Sequence, residues 1–367
     1  MHRATAEVAG AVLWFESREL PLRASLEAVC SAMLIPALFC RSRLGTAHEL
    51  CPHWLDHARE VIKIAGDWWR YPALMPQAPV RTAPARPGNA GTALCFSGGL
   101  DSFYSLLRGS YRPELLVCVQ GYDFPLEDDV RLAAFIPSLR AAAAHHGARP
   151  VVIRTNLRQH PVFAAAPWHN THGGALAGIG HLLGDHAGRL VVASSVPPTY
   201  TQPWGSHWRL DPLWSSGEVE IVHDGAEFSR AQKAWSIAGE SVLFQHFRVC
   251  WENRTPTGNC SVCDKCVCTM LLLEQAGQLG GYSVFQRPRS FVQLLAALPR
   301  TRYPITYQEM CQRGLTSDVR TAVERLLQRT VTRPERPTRL KWLLRQAGKL
   351  RRTLIGRIHS VPGGHSG

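Results

Sequence analysis

The sequence predicts an α/β fold in which helices cover both faces of a parallel sheet. From Gly91 onward, short apolar runs bounded by turn residues alternate with stretches of helical periodicity. Runs that are apolar throughout are typical of parallel strands buried on both faces, and their alternation with helices indicates strand–helix–strand units. A group of five cysteines between Cys250 and Cys268 indicates a small metal-binding subdomain after the sheet.

Five apolar runs are predicted as strands of the sheet. They lie at 92–96, 114–119, 150–154, 189–193 and 218–222. The helical patterns between or after them lie at 101–109, 128–146, 172–183 and 227–238. Ligands of such sheets bind beyond the carboxyl ends of the strands, which is where the glycine turn Ser97-Gly98-Gly99 follows the first run.

The regions on either side of the sheet are predicted to be helical. Residues 1–75 are interpreted as a mainly helical accessory region, with helices near 22–39 and 48–65, and the proline-rich stretch 76–91 as a linker. We assign the sheet domain to 92–249, the cysteine subdomain and its helix to 250–285, a helical region to 286–330, and a basic tail to 331–367.

Composition indicates an ordered globular chain. Apolar residues make up 45% and charged residues 19% of the 367 positions, which excludes a disordered protein. No apolar run approaches the roughly 18 residues that a membrane span needs. The apolar stretch 8–15 ends at Glu16 without a signal-peptide cleavage site. We therefore expect a cytoplasmic protein, in which cysteines ligate metals or remain thiols more often than they form disulfides.

The net charge of +13 is concentrated in the C-terminal tail. Residues 325–367 contain eleven Lys or Arg and one acid, Glu335, so residues 1–324 carry only +3. A basic amphipathic helix is predicted at 339–358. Three interpretations stay open: the tail binds nucleic acid through its phosphates, docks its leucines on the protein's own core, or lies on an anionic membrane surface.

The glycine turn is the strongest candidate for a binding site. Ser97-Gly98-Gly99-Leu100-Asp101-Ser102 joins the first strand to an amphipathic helix. The first turn of a helix has unpaired N–H donors and a partial positive charge, and glycines let a phosphate approach the backbone closely. On spacing alone, a phosphate site and a purely structural turn explain this pattern equally well.

Four cysteines have the spacing of a structural zinc site. Cys260, Cys263 and Cys266 lie on one tight turn, and nine residues separate Cys250 from Cys260. Four thiolates complete a tetrahedral Zn²⁺ site and leave no open position. A set of buried free cysteines and an iron–sulfur cluster are the two alternatives.

The two motifs together resemble a known enzyme family. The string from Ser97 to Ser102 resembles the SGGxDS loop of the PP-loop (N-type) ATP pyrophosphatase superfamily. With the cysteines following about 150 residues later, the chain resembles the QueC-like 7-cyano-7-deazaguanine synthase group. The resemblance implies a Rossmann-like, adenine nucleotide alpha-hydrolase-like fold. It also implies that Mg²⁺ and ATP are bound, that a carboxylate or carbonyl oxygen is adenylated with release of pyrophosphate, and that ammonia then displaces AMP to give an amide and a nitrile.

The resemblance also implies roles for individual residues. The residues expected to bind the pyrophosphate end of ATP are Ser97, Gly98, Gly99, Leu100, Asp101 and Ser102. Asp101, near Mg²⁺, and Ser102 are catalytic candidates, together with Arg230, which stands where the family has a lysine that faces the phosphates. The implied ligands of a structural zinc are Cys250, Cys260, Cys263 and Cys266.

The chain departs from the family in ways that leave its substrate open. About ninety residues precede the glycine turn and a similar number follow the cysteines, whereas the synthases begin near the turn. The family's substrate-binding stretch is not recognisable. The deazaguanine substrate is therefore not implied, and the acceptor is expected only to be a small carboxylate.

Three further residues are weaker candidates. Asp123 follows the second strand near the expected nucleoside pocket, although an ordinary turn aspartate has the same pattern. His172 is predicted to start a helix whose N terminus orients a substrate anion, with a solvated histidine as the alternative. Lys233 is expected to add positive potential near the phosphates.

The leading interpretation is an ATP-dependent C–N ligase that uses ammonia or another nucleophile. One alternative is a base or tRNA thiolation enzyme of the same superfamily, which needs an accessible thiolate, and Cys268 is the spare cysteine beside the cluster. Another is a nucleotide- or nucleic-acid-binding QueC-like component of a defence assembly, with the basic tail as its contact. The sequence is compatible with a homo-oligomer.

Overall fold

One seven-stranded sheet forms the centre of the computed structural model. The structure describes residues 1–82, 90–195, 197, 199, 201–287 and 289–332. The strands are β1 (His2–Val8), β2 (Ala11–Ser17), β3 (Thr92–Cys95), β4 (Leu115–Gln120), β5 (Arg149–Thr155), β6 (Arg189–Ala193) and β7 (Glu220–Asp224). All five predicted strands are present as β3 to β7, each with bounds within two residues of the prediction.

The strands are ordered β1-β2-β5-β4-β3-β6-β7. The pairs β5–β4, β4–β3, β3–β6 and β6–β7 are parallel, whereas β2 pairs antiparallel with both β1 and β5. The chain thus builds β4 and β5 on one side of β3 before it returns to add β6 and β7 on the other. A crevice forms at the carboxyl ends of the strands where the order reverses, between β3 and β6.

Helices flank the sheet. They are α1 (Leu26–Phe39), α2 (Pro52–Trp69), α3 (Leu100–Arg108), α4 (Asp129–His146), α5 (Pro161–Ala165), α6 (Trp168–Leu182), α7 (Arg230–Ile237), α8 (Leu243–His246), α9 (Asp264–Gln275), α10 (Phe291–Ala297), α11 (Pro304–Arg313) and α12 (Ser317–Thr332). In β3, Leu94 packs into a core with α3, α4, α7 and α9, while Ala93 packs into a second core with α1, α2 and α6. The predicted α/β class, with a largely parallel sheet flanked by helices, is confirmed.

The N-terminal region is not mainly helical, because it begins with the hairpin β1–β2. Ala9 and Gly10 join the two strands with positive φ angles of 49° and 74°, the backbone that two-residue hairpin turns require. β2 then extends the sheet by pairing with β5, with Phe15 opposite Thr155. Residues 1–17 are therefore an integral edge of the sheet, and the predicted accessory region contributes strands as well as α1 and α2.

Two contacts fasten α1 to the rest of the molecule. A Cβ atom on Gly174 of α6 would lie 2.3 Å from the carbonyl oxygen of Ser31 in α1, so only glycine permits this approach of the two helices. Arg81, within the predicted linker, forms ion pairs of 2.6 Å with Glu27 of α1 and 3.2 Å with Glu218. The described part of the linker, up to residue 82, is thus held against the core and is no free connection.

The region beyond the cysteines is helical, as predicted. α10 and α11 pack on α9, and α12 packs on α10 and α11. Their residues Leu295, Tyr307 and Leu326 belong to the same core as the glycine-turn helix α3. The basic helix predicted at 339–358 lies outside the described residues. Within the described part of the chain, no helix has the length and apolar character to cross a bilayer.

Candidate functional site

A cavity of about 220 Å³ lies at the carboxyl ends of β3, β4 and β6. Its wall combines the glycine turn after β3, the segment after β4 and one side of α6, and its polar and charged members are Ser97, Asp101, Ser102, Asp123, His172, Ser195, Ser206 and Lys265. Rings of Tyr122, Phe124 and Trp168 complete the wall. The cavity therefore has a polar side with main-chain amides and an aromatic side.

The glycine turn presents the N terminus of α3 to this cavity. Gly98 has a φ of +73°, and a Cβ there would lie 2.6 Å from the ring of Phe135, so the turn requires glycine. Gly99 is the N-cap of α3, and no side chain caps the helix. The carbonyl of Gly99 accepts a hydrogen bond from Ser102 Oγ at 3.0 Å. Uncapped amides at a helix start are available to an anion.

Arg230 lies behind the turn, where it pairs with Asp101. Its Nη1 donates to Asp101 Oδ2 at 3.2 Å, and both side chains are largely buried. Ser229 and Gln232 form a reciprocal capping box that places Arg230 at the first position of α7. Burial disfavours its charge, but the combined effect of Asp101, Tyr303 and Cys268 raises the pKa of Arg230. Among the described residues no partner exists for Asp101 Oδ1 or for Arg230 Nε and Nη2, so the pair retains capacity for further polar contacts.

Lys233 has a structural partner and does not line the cavity. Its Nζ donates to the carbonyl oxygen of Ser194 at 2.6 Å, and the ammonium lies 5.4 Å from the ring centroid of Tyr104. Burial lowers the pKa of Lys233, and Asp101 opposes that effect. The side chain therefore ties α7 to the end of β6 and contributes positive charge from behind the turn.

His172 and Asp123 both line the cavity. The prediction that His172 starts a helix is wrong, because α6 begins at Trp168 after Pro167 and His172 lies in its second turn. Its Nδ1 lies 3.1 Å from the carbonyl oxygen of Trp168, and burial lowers its pKa. A ligand can therefore contact the imidazole ring of His172, but not a free main-chain amide at a helix start. Asp123 is exposed at the cavity's edge.

The four cysteines come together as one compact cluster. The sulfurs of Cys250, Cys260, Cys263 and Cys266 all lie within 4.8 Å of one another. Two measured edges are 3.9 Å for Cys250–Cys263 and 4.0 Å for Cys260–Cys266. Four sulfurs at the Zn–S distance of about 2.3 Å lie about 3.8 Å apart, so the cluster fits a tetrahedral zinc ion.

The surroundings of the cluster favour a closed structural site. Cys250, Cys263 and Cys266 are buried, and the side-chain oxygen of Asn259 accepts from the N–H groups of Val249 at 2.9 Å and Cys250 at 3.1 Å. Hydrogen bonds among the four sulfurs lower the pKa values of Cys250 and Cys260 and raise those of Cys263 and Cys266. The four thiols therefore titrate as one cluster.

The cysteine cluster adjoins the glycine turn. The N–H of Arg248, two residues before Cys250, donates to the carbonyl of Gly98 at 2.8 Å. Lys265, between Cys263 and Cys266 of the cluster, lines the cavity. The sequence pattern did not single out Lys265, since nothing in the cysteine spacing shows which way this turn faces.

A buried carboxylate that the sequence did not single out holds the loop on the opposite wall. Asp211 accepts from Ser206 Oγ at 2.7 Å, and its Oδ2 lies 2.7 Å from His223 Nδ1. Ser206 lines the cavity. Asp211 is fully buried, so these contacts fix the loop that carries Ser206 against β7.

Comparison of the chain with protein-family models, curated proteins and solved structures gives no match.

Proposed function

We propose that this protein is an ATP-dependent ligase that adenylates a carboxylate or carbonyl oxygen and releases pyrophosphate. The observation that carries the proposal is the uncapped N terminus of α3, whose residues Gly99, Asp101 and Ser102 line a cavity at the strand carboxyl ends. Such a terminus stabilises phosphate by its N–H groups and its dipole. The Arg230–Asp101 ion pair next to it leaves Asp101 Oδ1 and the Nε and Nη2 atoms of Arg230 without a partner among the described residues.

The strand order supports a Rossmann-like nucleotide fold for this domain. Numbered from the strand before the glycine turn, the parallel strands are arranged 3-2-1-4-5. This is the order of doubly wound nucleotide-binding sheets, whose ligands lie at the reversal point. The cavity occupies that point, between the ends of β3 and β6.

Different residues of the cavity would have different roles in an adenylation. The amides from Ser97 to Ser102 would hold the β- and γ-phosphates, and Asp101 would face the metal that accompanies them. Mg²⁺, when bound there, would neutralise the charge that builds up on the leaving pyrophosphate. The aromatic side of the cavity, with Asp123 at its edge, would hold the nucleoside and the acceptor.

The reaction needs no covalent intermediate with the enzyme. A carboxylate oxygen of the acceptor attacks the α-phosphorus, the bond from that phosphorus to the α,β-bridging oxygen breaks, and pyrophosphate leaves. Ammonia or another nucleophile then attacks the acyl carbon, and AMP departs with one oxygen of the original carboxylate. The residues of the turn act by alignment and by charge stabilisation.

We propose that the cysteine cluster holds a structural zinc ion. The tetrahedral spacing of the four sulfurs and their burial support this assignment, and four thiolates leave no coordination position for a substrate. The zinc would therefore contribute to folding and to the position of the neighbouring wall, and would take no part in the reaction.

The thiolation alternative has less support. The thiol of Cys268 is fully buried, and burial raises its pKa, so the reactive thiolate is suppressed. Cys95 lines the cavity, but burial raises its pKa to about 12. Nucleophilic sulfur chemistry needs an ionised, accessible thiol, which neither residue provides.

Product analysis with labelled substrate tests the ligase. Purified protein is incubated with Mg²⁺, ATP, ammonia and a panel of carboxylic acids labelled with ¹⁸O, and the products are examined by ³¹P NMR and mass spectrometry. The proposal predicts AMP and pyrophosphate, with one ¹⁸O transferred from the acid to AMP. ADP and inorganic phosphate as the products would contradict it.

A further inference from the structure

We propose that Lys265 contacts a phosphate of the bound nucleotide, and that the metal-loaded cysteines fix its position. This inference rests on the proposed function, because it requires a nucleotide in the cavity. It adds a binding residue to the site and gives the cysteine cluster a second role beyond folding.

Lys265 shares the cavity wall with the glycine turn. Ser97, Gly99, Asp101 and Ser102 line the same cavity. Of the described residues that line the cavity, Lys265 is the one Lys or Arg. A triphosphate carries several negative charges, so a cation on this wall has a direct electrostatic role.

The neighbouring cations Arg230 and Arg248 do not line the cavity, and each contacts another protein group. Arg230 pairs with Asp101, and the guanidinium of Arg248 donates to Asn253 Oδ1 at 3.1 Å and lies 4.2 Å from the ring centroid of Phe124. The Lys265 ammonium, by contrast, forms no hydrogen bond or ion pair with any described residue. A half-buried ammonium that has no protein partner in a polar cavity can bind an anionic ligand.

The position of Lys265 depends on its two cysteine neighbours. Cys263 is the N-cap of α9 and Cys266 is in its first turn, so two of the four metal ligands flank Lys265 on the chain. A third cysteine of the cluster, Cys250, follows Arg248 by two residues. The N–H of Arg248 donates a hydrogen bond to the carbonyl of Gly98 in the glycine turn. Metal binding at the four sulfurs therefore holds Lys265 and the glycine turn in a fixed relation.

Substitution of Lys265 tests whether its ammonium contacts a phosphate. Calorimetry would measure the affinity of inorganic pyrophosphate and of Mg·ATP for the zinc-loaded full-length wild type and for Lys265→Met and Lys265→Arg. Lys63, on the surface of α2 with 71% of its side chain exposed, provides the control variant Lys63→Met. Zinc content and melting temperature are measured for each protein.

We expect Lys265→Met to weaken binding of pyrophosphate and Mg·ATP by about 10- to 100-fold, as loss of a hydrogen bond to a charged group predicts. Lys265→Arg should restore part of the affinity, and zinc content should stay at the wild-type value. Equal pyrophosphate affinity in Lys265→Met and wild type would overturn the inference and leave the ligase proposal standing. A wild type that binds neither ligand would overturn both.

If Lys265→Met loses its zinc, the Lys265→Arg variant tests the inference instead. If Lys265→Met lacks zinc while Lys265→Arg retains it, the affinity of the arginine variant decides: a charge-dependent contact keeps binding within about 10-fold of wild type. Full zinc retention with lost affinity in the arginine variant would show that shape, and not charge, is required, which contradicts a phosphate contact.

Discussion

The N–H of Arg248 donates a hydrogen bond of 2.8 Å to the carbonyl of Gly98. This bond joins two motifs that lie about 150 residues apart in the sequence. Gly98 has a positive φ within the glycine turn, and Arg248 lies two residues before Cys250, the first cysteine of the cluster. The glycine turn and the cysteine cluster are therefore adjacent in the structure.

Gly98→Ala should damage the site more than its backbone strain alone explains. The φ of +73° costs alanine about 1 kcal/mol, and contact with the Phe135 ring at 2.6 Å adds about 1–3 kcal/mol of overpacking. Gly147→Ala is the matched control, since Gly147 has a φ of +72° and nothing within 4 Å of an added Cβ. Urea unfolding should show the larger loss for Gly98→Ala, together with loss of ATP binding. Equal losses in the two variants would refute the close contact.

Removal of the zinc proposed for the cysteine cluster should affect the proposed nucleotide site and the C-terminal region together. Because Cys263 is buried within the cluster, Cys263→Ser should lower zinc content and destabilise the region around α9, since structural zinc sites contribute on the order of 10 kcal/mol of apparent binding free energy. Metal analysis, hydrogen exchange and ATP calorimetry would follow these effects. Cys40→Ser, at an exposed thiol outside the cluster, is the control. A brown, iron-containing protein would rule out zinc.

The Arg230–Asp101 pair should behave as a buried ion pair. Arg230→Met leaves the Asp101 carboxylate without its cation and should lower the free energy of unfolding by about 3–5 kcal/mol. The double variant Arg230→Met/Asp101→Asn should be less destabilised than the sum of the single variants. Urea unfolding of all four proteins measures this difference, and strict additivity would mean that the pair does not interact.

Stability should fall on mild acidification because of His181. Burial lowers the pKa of His181 below its ordinary value of 6.5, and its Nε2 lies 2.9 Å from the carbonyl oxygen of Trp214. The unfolded chain therefore binds the proton more readily, so this stabilisation is present above about pH 6.5 and is lost as the pH falls toward the lower folded-state pKa.

The measurement is urea unfolding between pH 7.5 and pH 5.5 with zinc content monitored at each pH. His181→Asn should reduce the slope of unfolding free energy against pH, whereas the exposed control His145→Asn should leave the wild-type slope. An unchanged slope in His181→Asn would show that other groups cause the acid sensitivity.

The elements with strong local signals could be predicted from the sequence. The strand before Ser97 and the glycine turn are found where the pattern indicated them, because an apolar run and a glycine pair are local features. The hairpin β1–β2 was missed because its small residues, such as Ala4 and Ala6, gave little hydrophobic alternation. Its strand pairing with β5 is a contact across more than 130 residues.

The site itself was only partly predictable. The Cys cluster follows from spacing, but the contact of Arg248 with Gly98 and the direction of Lys265 depend on how α9 packs beside α3. His172 was misplaced because the helix starts earlier, at Trp168, and Pro167 just before it is a local signal that the sequence analysis did not use. The tertiary contact of Arg248 with Gly98, in contrast, leaves no local sequence signal.

A crystal structure of the zinc-loaded protein with Mg²⁺ and α,β-methylene-ATP, which cannot be cleaved between the α- and β-phosphates, tests the central claim most directly. The account predicts β- and γ-phosphate oxygens within about 3 Å of the amides between Ser97 and Ser102 and of the Lys265 ammonium. A nucleotide bound elsewhere, or a cavity that stays empty at saturating concentration, would contradict it.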